Sequence, residues 1–543
     1  MIKQFSALAA MLLLFCVACN HGIRKSEKQD MSYKTTTVAT ATNRFSSPPP
    51  PKSPNAPSHV STDTTFQNQA FNTEDYDNIV ENKFLSPLHD PLSTFSIDVD
   101  EASYSNVRRY LQQGSLPPAG AVRIEEMINY FDYDYPAPTG EEPFTVVTEM
   151  AECPWNTQHK LVHIGLKGKE IPTDNLPASN MVFLIDVSGS MSDDNKLPLV
   201  KTSLKMLTDQ LREKDKVAIV VYAGSAGLVL PSTSGANKIK IKDAIENLEA
   251  GGSTAGGEGI QLAYKVAMDN FIKGGNNRIV LATDGDFNVG PSSDDDLVRL
   301  IENERQKGIF LSVLGYGMGN YKDNKMQQLA DKGNGNHSYI DNANEAKKVL
   351  VNEFGSTLFT IAKDVKIQIE FNPAKVQAYR LIGYENRMLA AEDFNDDQKD
   401  AGELGSGHTV TALYEVIPVG VRDDFTKSVD SLKYQSNTKT ITGNSNESMT
   451  IKLRYKKPDE DKSNLIVHAV VDEQKSLNAT SDNFRFSAVV AEFGMLLRNS
   501  AYKQNGNFGQ VVSLAQSAKG KDVNGYRQEF VQLIQSANSL VKR

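Results

Sequence analysis

Four short β-branched runs, "MVFLIDV", "KVAIVVYAG", "NRIVLATDG" and "IFLSVLGYG", recur between residues 181 and 317, and stretches with helical spacing separate them. Each run is apolar at nearly every position instead of every second one, as strands buried on both faces of a parallel sheet must be. Helical patterns at 197–211, 239–248, 259–271, 295–306 and 325–330 supply the crossovers that parallel strands need. This spacing predicts an α/β domain over 179–360, with a doubly wound, mainly parallel sheet. Ligands of such sheets bind beyond the carboxyl ends of the strands, so the residues just after "MVFLI" and "RIVLAT" are where function is sought.

The rest of the 543 residues exceeds what one core supports, and its pattern differs. Over 81–178 a strand-like stretch at 95–99 leads into a helix with Tyr104, Val107, Tyr110 and Leu111 on one face. A second helix is expected at 123–131, followed by alternating stretches "FTVVTEMAECPW" and "HKLVHIGLKG". From 361 to 543 the period is again two, in "VKIQIEF", "VQAYRLIGY", "HTVTALYEVIPV" and "MTIKLRY", before two amphipathic helices. The α/β domain is thus expected between an N-terminal α+β segment and a C-terminal β-sandwich-like module with terminal helices.

The N-terminus, "MIKQFSALAAMLLLFCVACN", has one lysine, an apolar run too short for a stable span, and small residues at its end, the pattern of an export signal. Its end, "CVAC", resembles a bacterial lipobox, which implies cleavage after residue 18, with 1–19 as the signal region and acylation of Cys19. Cys16 stands where that pattern has leucine, and ordinary secretion with cleavage nearby is the alternative. The only other cysteine is Cys153, so no disulfide framework is expected. Residues 20–80, rich in Ser, Thr, Asn and Pro, bury little and read as an extended, disordered linker. Lys and Arg number 58 against 67 Asp and Glu, a net charge of −9, which argues against nucleic acid as a partner. No His-Glu-x-x-His or Cys-x-x-Cys spacing supports zinc.

One group of residues carries chemistry. Asp186, Ser188 and Ser190 follow the first strand of the α/β domain, Thr254 lies in "GGSTAGGEG", and Asp284 ends another strand in "LATDGD". Two carboxylates and three hydroxyls, with no nitrogen or sulfur, suit a hard cation such as Mg²⁺, Mn²⁺ or Ca²⁺. Gly189, Gly251 and Gly252 tolerate the tight backbone that such a cradle needs. This pattern resembles the metal-ion-dependent adhesion site of von Willebrand factor type A domains, Asp-x-Ser-x-Ser with a distant Thr and a distant Asp. The resemblance implies that Ser188, Ser190 and Thr254 approach the metal directly, that Asp186 and Asp284 bind it directly or through water, and that a partner's carboxylate takes the remaining position. "TFSIDVDEASYSNVRRYL", "RIEEMINYF", "LATDGDFNVG" and "GHTVTALYEV" further resemble the bacterial YfbK-like family, across nearly everything after the linker.

The expected function is a non-enzymatic, metal-dependent protein-binding lipoprotein of the bacterial cell envelope. Asn20, after the lipid cysteine, leans towards the outer membrane by resemblance to enteric lipoproteins. Two rivals compete. Asp98 and Asp100 in "FSIDVDEAS" resemble the nucleophile and general acid of Mg²⁺-dependent haloacid-dehalogenase-like phosphatases, against Asp100 as a helix-terminal carboxylate. In the other, the protein is an envelope scaffold with a structural metal. Asp393, Asn395 and Asp397 alternate as in a calcium loop, but Gln398 replaces the required glycine and Leu404 the terminal acid, so a solvated acidic loop is expected, with a second cation site as the alternative.

Overall fold

The computed structural model describes residues 74–542, apart from 255, 286, 288–293, 354–358, 400, 427–444 and 459. The signal region, Cys19 and nearly all of the linker lie outside the described residues.

The chain enters through β1 (Leu92–Ser96), α1 (Ala102–Gln112) and α2 (Ile124–Asn129), then the long hairpin of β2 (Phe144–Cys153) and β3 (Asn156–Gly168). The α/β domain follows with β4 (Ser179–Asp186), α3 (Leu197–Gln210), β5 (Lys216–Tyr222), β6 (Ala226–Ser234), α4 (Lys238–Glu246), α5 (Gly256–Asp269), β7 (Asn276–Thr283), α6 (Asp294–Gln306), β8 (Ile309–Tyr316), α7 (Asp323–Lys332), β9 (His337–Ile340) and α8 (Ala343–Lys347). Its six strands run in the order β6-β5-β4-β7-β8-β9, all parallel except β6, which forms an antiparallel edge with β5. The four expected strands are present, and β6 and β9 extend the sheet at its two edges.

Alternation along β4 explains why its sequence shows none. Met181, Phe183 and Ile185 enter one core with Leu204, Leu207 and Ile241, while Val182 and Leu184 enter another with Ile260, Ala263 and Leu329. Both faces are covered by helices, so every residue of β4 is buried.

Downstream come β10 (Thr360–Phe371), β11 (Val376–Ile382), β12 (Gly402–Gly405), β13 (Thr409–Pro418), β14 (Glu447–Lys456) and β15 (Asn464–Val471), then α9 (Asp482–Leu497), α10 (Phe508–Ser517) and α11 (Tyr526–Val541). The sandwich is built from both flanks of the α/β domain. One sheet is β1-β10-β14-β15 with β12 beside β10, and the other is β11-β13-β3-β2. Phe95, Ile164, Ile367, Val410, Tyr414 and Leu453 fill the space between them. The outer face of the four-stranded sheet, through Leu161, Ile382 and Leu413, packs under α2 and the terminal helices. α9 is apolar around most of its circumference and correspondingly buried, at Phe484 and from Phe486 through Met495.

Candidate metal centre

The site is made by strand register and by three loops. β4 and β7 lie side by side with Leu184 opposite Leu281 and Ile185 opposite Ala282. Both strands therefore finish together, and Asp186 and Asp284 emerge at the same edge of the sheet. Beyond Asp186 the backbone turns at once: the Ser188 N–H donates to Asp186 Oδ1 at 2.8 Å, a local Asx bond that aspartate makes readily. Ser188 Oγ and Ser190 Oγ then stand 3.0 Å apart, and Ser190 hydrogen-bonds towards Asp284.

The glycine-rich loop closes against this turn through backbone alone. The Gly189 N–H donates to the Gly252 carbonyl at 3.0 Å and the Gly251 N–H to the Val187 carbonyl at 2.8 Å. Gly252 has φ +83°, a left-handed conformation that a side chain rarely adopts, and it abuts the backbone of Gly224. Thr254 follows two residues later, partly buried, just before α5. The structure thus brings Asp186, Ser188, Ser190 and Asp284 into one cluster and fastens the Thr254 loop to it.

Exposure is graded. Asp186, Ser188 and Asp284 are buried, whereas Ser190 and residues 251–253 are exposed. A carboxylate floor therefore opens to solvent through a rim of small residues. Burial raises the Asp186 carboxyl to about 6 although the Ser188 bonds oppose it, and the charge of Asp284 adds to the rise. Asp284 is also desolvated, but donors from Asn320 and Lys196 outweigh this and hold its carboxyl below the ordinary range. An all-oxygen donor set with one carboxyl strained by its charge fits a hard divalent cation, which would relieve both.

Lys196 and Asn320 are the site residues that sequence reading missed. Lys196 Nζ donates to Asp284 Oδ2 at 2.9 Å and Asn320 Nδ2 donates to the same oxygen at 3.0 Å. Lys196 precedes α3 and Asn320 follows β8. A lysine in "SDDNKLPL" reads as solvated, and no local signal turns it inward.

The rival carboxylates are engaged elsewhere. Arg387 pairs with Asp98, Asp100 and Asp331, each at about 3 Å. Asp100 is buried and also accepts from the His337 N–H at 2.8 Å and from Gln327 Nε2 at 3.2 Å. It therefore ties α1 to the α/β domain, and the helix-terminal role is not what holds it. In the acidic loop, Asp393 accepts from the Ala390 N–H, Asn395 from Arg454 and Asp397 from Ser463, so the three side chains serve different partners. Among the described residues, no group of three His, Cys, Asp or Glu side chains is gathered for a metal. The described Cys153 is free and buried.

Comparison with known proteins agrees with this architecture. Residues 70–163 match the family described as von Willebrand factor, 180–353 the von Willebrand factor type A domain, and 356–540 the family described as "Uncharacterized protein YfbK, C-terminal". YfbK of Escherichia coli is 45% identical over 476 residues, covering 86% of this chain and 82% of the relative. The chain belongs to the YfbK family. Protein sll0103 of Synechocystis sp. is 30% identical over 193 residues, 35% of this chain and 44% of that one. The crystal structure of BatB from Bacteroides thetaiotaomicron is 25% identical, covers 33% of this chain and 97% of BatB, and has a TM-score of 0.29. The type A domain of this YfbK-family chain points to protein–protein interaction or an adhesion-type function.

Proposed function

We propose that this protein is a non-enzymatic, divalent-metal-dependent protein-binding lipoprotein, anchored through Cys19 to the bacterial envelope, with the outer membrane favoured, and displayed on the 20–80 linker. One observation carries the reading: oxygen side chains from separate strand ends converge on a buried, acidic floor with an exposed rim. Asp186, Ser188, Ser190, Thr254 and Asp284 would hold Mg²⁺, Mn²⁺ or Ca²⁺. When bound, the ion supplies an electrophile for a carboxylate on a partner protein. The chain's own residues do the rest. Asp186 and Asp284 provide charge, the serines and threonine provide neutral oxygens, and Gly252 lets the loop approach closely.

Arg387 occupies Asp98 and Asp100, so the phosphatase reading is not favoured. The test is capture of envelope proteins by wild type and Asp186→Ala, with Mg²⁺ or with EDTA. Capture by wild type in Mg²⁺, lost in the variant and in EDTA, is expected. Equal capture in every arm would sink the metal bridge. Chelation that lowers the melting temperature without changing capture would instead favour a scaffold with a structural metal.

A further inference from the structure

We propose that Lys196 is a built-in counter-charge that keeps the cation site in need of an outside carboxylate; this rests on reading Asp186, Ser188, Ser190, Thr254 and Asp284 as one divalent-cation site. Lys196 is buried, 5% exposed, and its Nζ lies 2.9 Å from Asp284 Oδ2. Asn320 steadies the pair from both sides, donating to the same carboxylate oxygen at 3.0 Å and facing Lys196 Nζ with its own oxygen at 3.4 Å. Asp284 Oδ2 is thereby committed within the protein.

The fold makes room for this side chain in particular. The Lys196 stem crosses Gly317, which has φ +77°, and a Cβ added there would lie 2.4 Å from Lys196 Cε and 2.7 Å from Cγ. A lysine that merely snorkels to solvent needs no such slot. Here the ammonium is led inward to one of the two carboxylates of the site.

Charge then decides the consequence. Two carboxylates offset a dication, and serine and threonine hydroxyls are neutral. An ammonium held on one carboxylate leaves the loaded site with a net positive charge, in surroundings of low dielectric where that charge is poorly screened. Water does not remove it, whereas an arriving carboxylate does. Lys196 thus trades intrinsic metal affinity for selectivity towards acidic partners.

The experiment uses the full chain, Mn²⁺ as the metal and acetate as the carboxylate. Calorimetry measures Mn²⁺ affinity, and water-proton relaxation follows displacement of Mn²⁺-bound water as acetate is added. Lys196→Met keeps the stem and removes the charge, and should bind Mn²⁺ roughly tenfold or more tightly, the scale of removing one nearby repulsive charge. It should also lose the acetate response that wild type shows. Lys196→Gln carries the same expectation if the methionine variant fails to fold. Unchanged affinity with an intact acetate response would overturn the counter-charge. Weaker Mn²⁺ binding would overturn it too, making Lys196 a positioner of Asp284. Mn²⁺ binding absent from wild type would remove the site reading itself and this inference with it, a result distinct from either.

Discussion

At the scale of single residues, burial sets chemistry that the sequence does not display. His163 is fully enclosed, with the Tyr135 hydroxyl 2.6 Å from Nε2 and the Ser487 hydroxyl 3.2 Å from Nδ1. Burial lowers its pKa from 6.5 to about 3, so the folded state holds the neutral ring. The sign follows from linkage: a depressed folded pKa means this contribution is fully present above pH 6.5 and is lost as pH falls towards 3. Urea unfolding of wild type between pH 7 and pH 4 should show a loss of stability that His163→Phe reduces, whatever that variant's stability at neutral pH. Equal pH dependence in the two proteins would contradict the assignment. The same contrast explains the candidate metal centre. Asp186, Ser188, Ser190, Thr254 and Asp284 can be proposed from sequence because their spacing is a pattern along the chain. Lys196 cannot, because its inward course is set by Gly317 across the fold.

Among elements, close approach overrides intrinsic propensity. Gly259 sits inside α5, where alanine would ordinarily favour a helix by about 1 kcal/mol. Yet a Cβ at Gly259 would lie 2.8 Å from Tyr222 Cβ on β5. Gly259→Ala should therefore destabilise, by about 1–3 kcal/mol as overpacking does, and thermal denaturation measures it. A gain in stability would show that α5 shifts away without cost. The elements legible in sequence were those with continuous apolar runs, such as β4 and β7, or a clear helical period, such as α3. β9 was missed because four residues give too little pattern, and β6 because its burial is irregular along an exposed edge.

The whole molecule is held by connections between segments far apart in sequence. β3 lies between β2 and β13, and β1 pairs with β10. A fragment of 361–543 alone lacks three strands of its own sandwich and should show no cooperative thermal transition by circular dichroism, whereas the chain from 81 to 543 should. Cooperative melting of the short fragment would refute the shared-sheet dependence. The α/β domain is joined to the same body by buried ion pairs, Arg123 with Asp323 at 2.6 Å and Arg108 with Glu345 at 2.7 Å. Their partners were unforeseeable from sequence, because charged residues in helical patterns read as solvated faces.

The chain's own pattern determined the α/β domain and its mainly parallel sheet and marked the five oxygen-bearing positions as candidates, because burial on two faces and the demands of a tight oxygen-rich turn both leave local marks in sequence. The tertiary structure alone decided that the two flanks share one sandwich, that Arg387 occupies Asp98 and Asp100, and that Lys196 turns inward to Asp284. Those outcomes depend on pairing and charge compensation between distant segments, for which the energy resides in contacts that no local stretch contains.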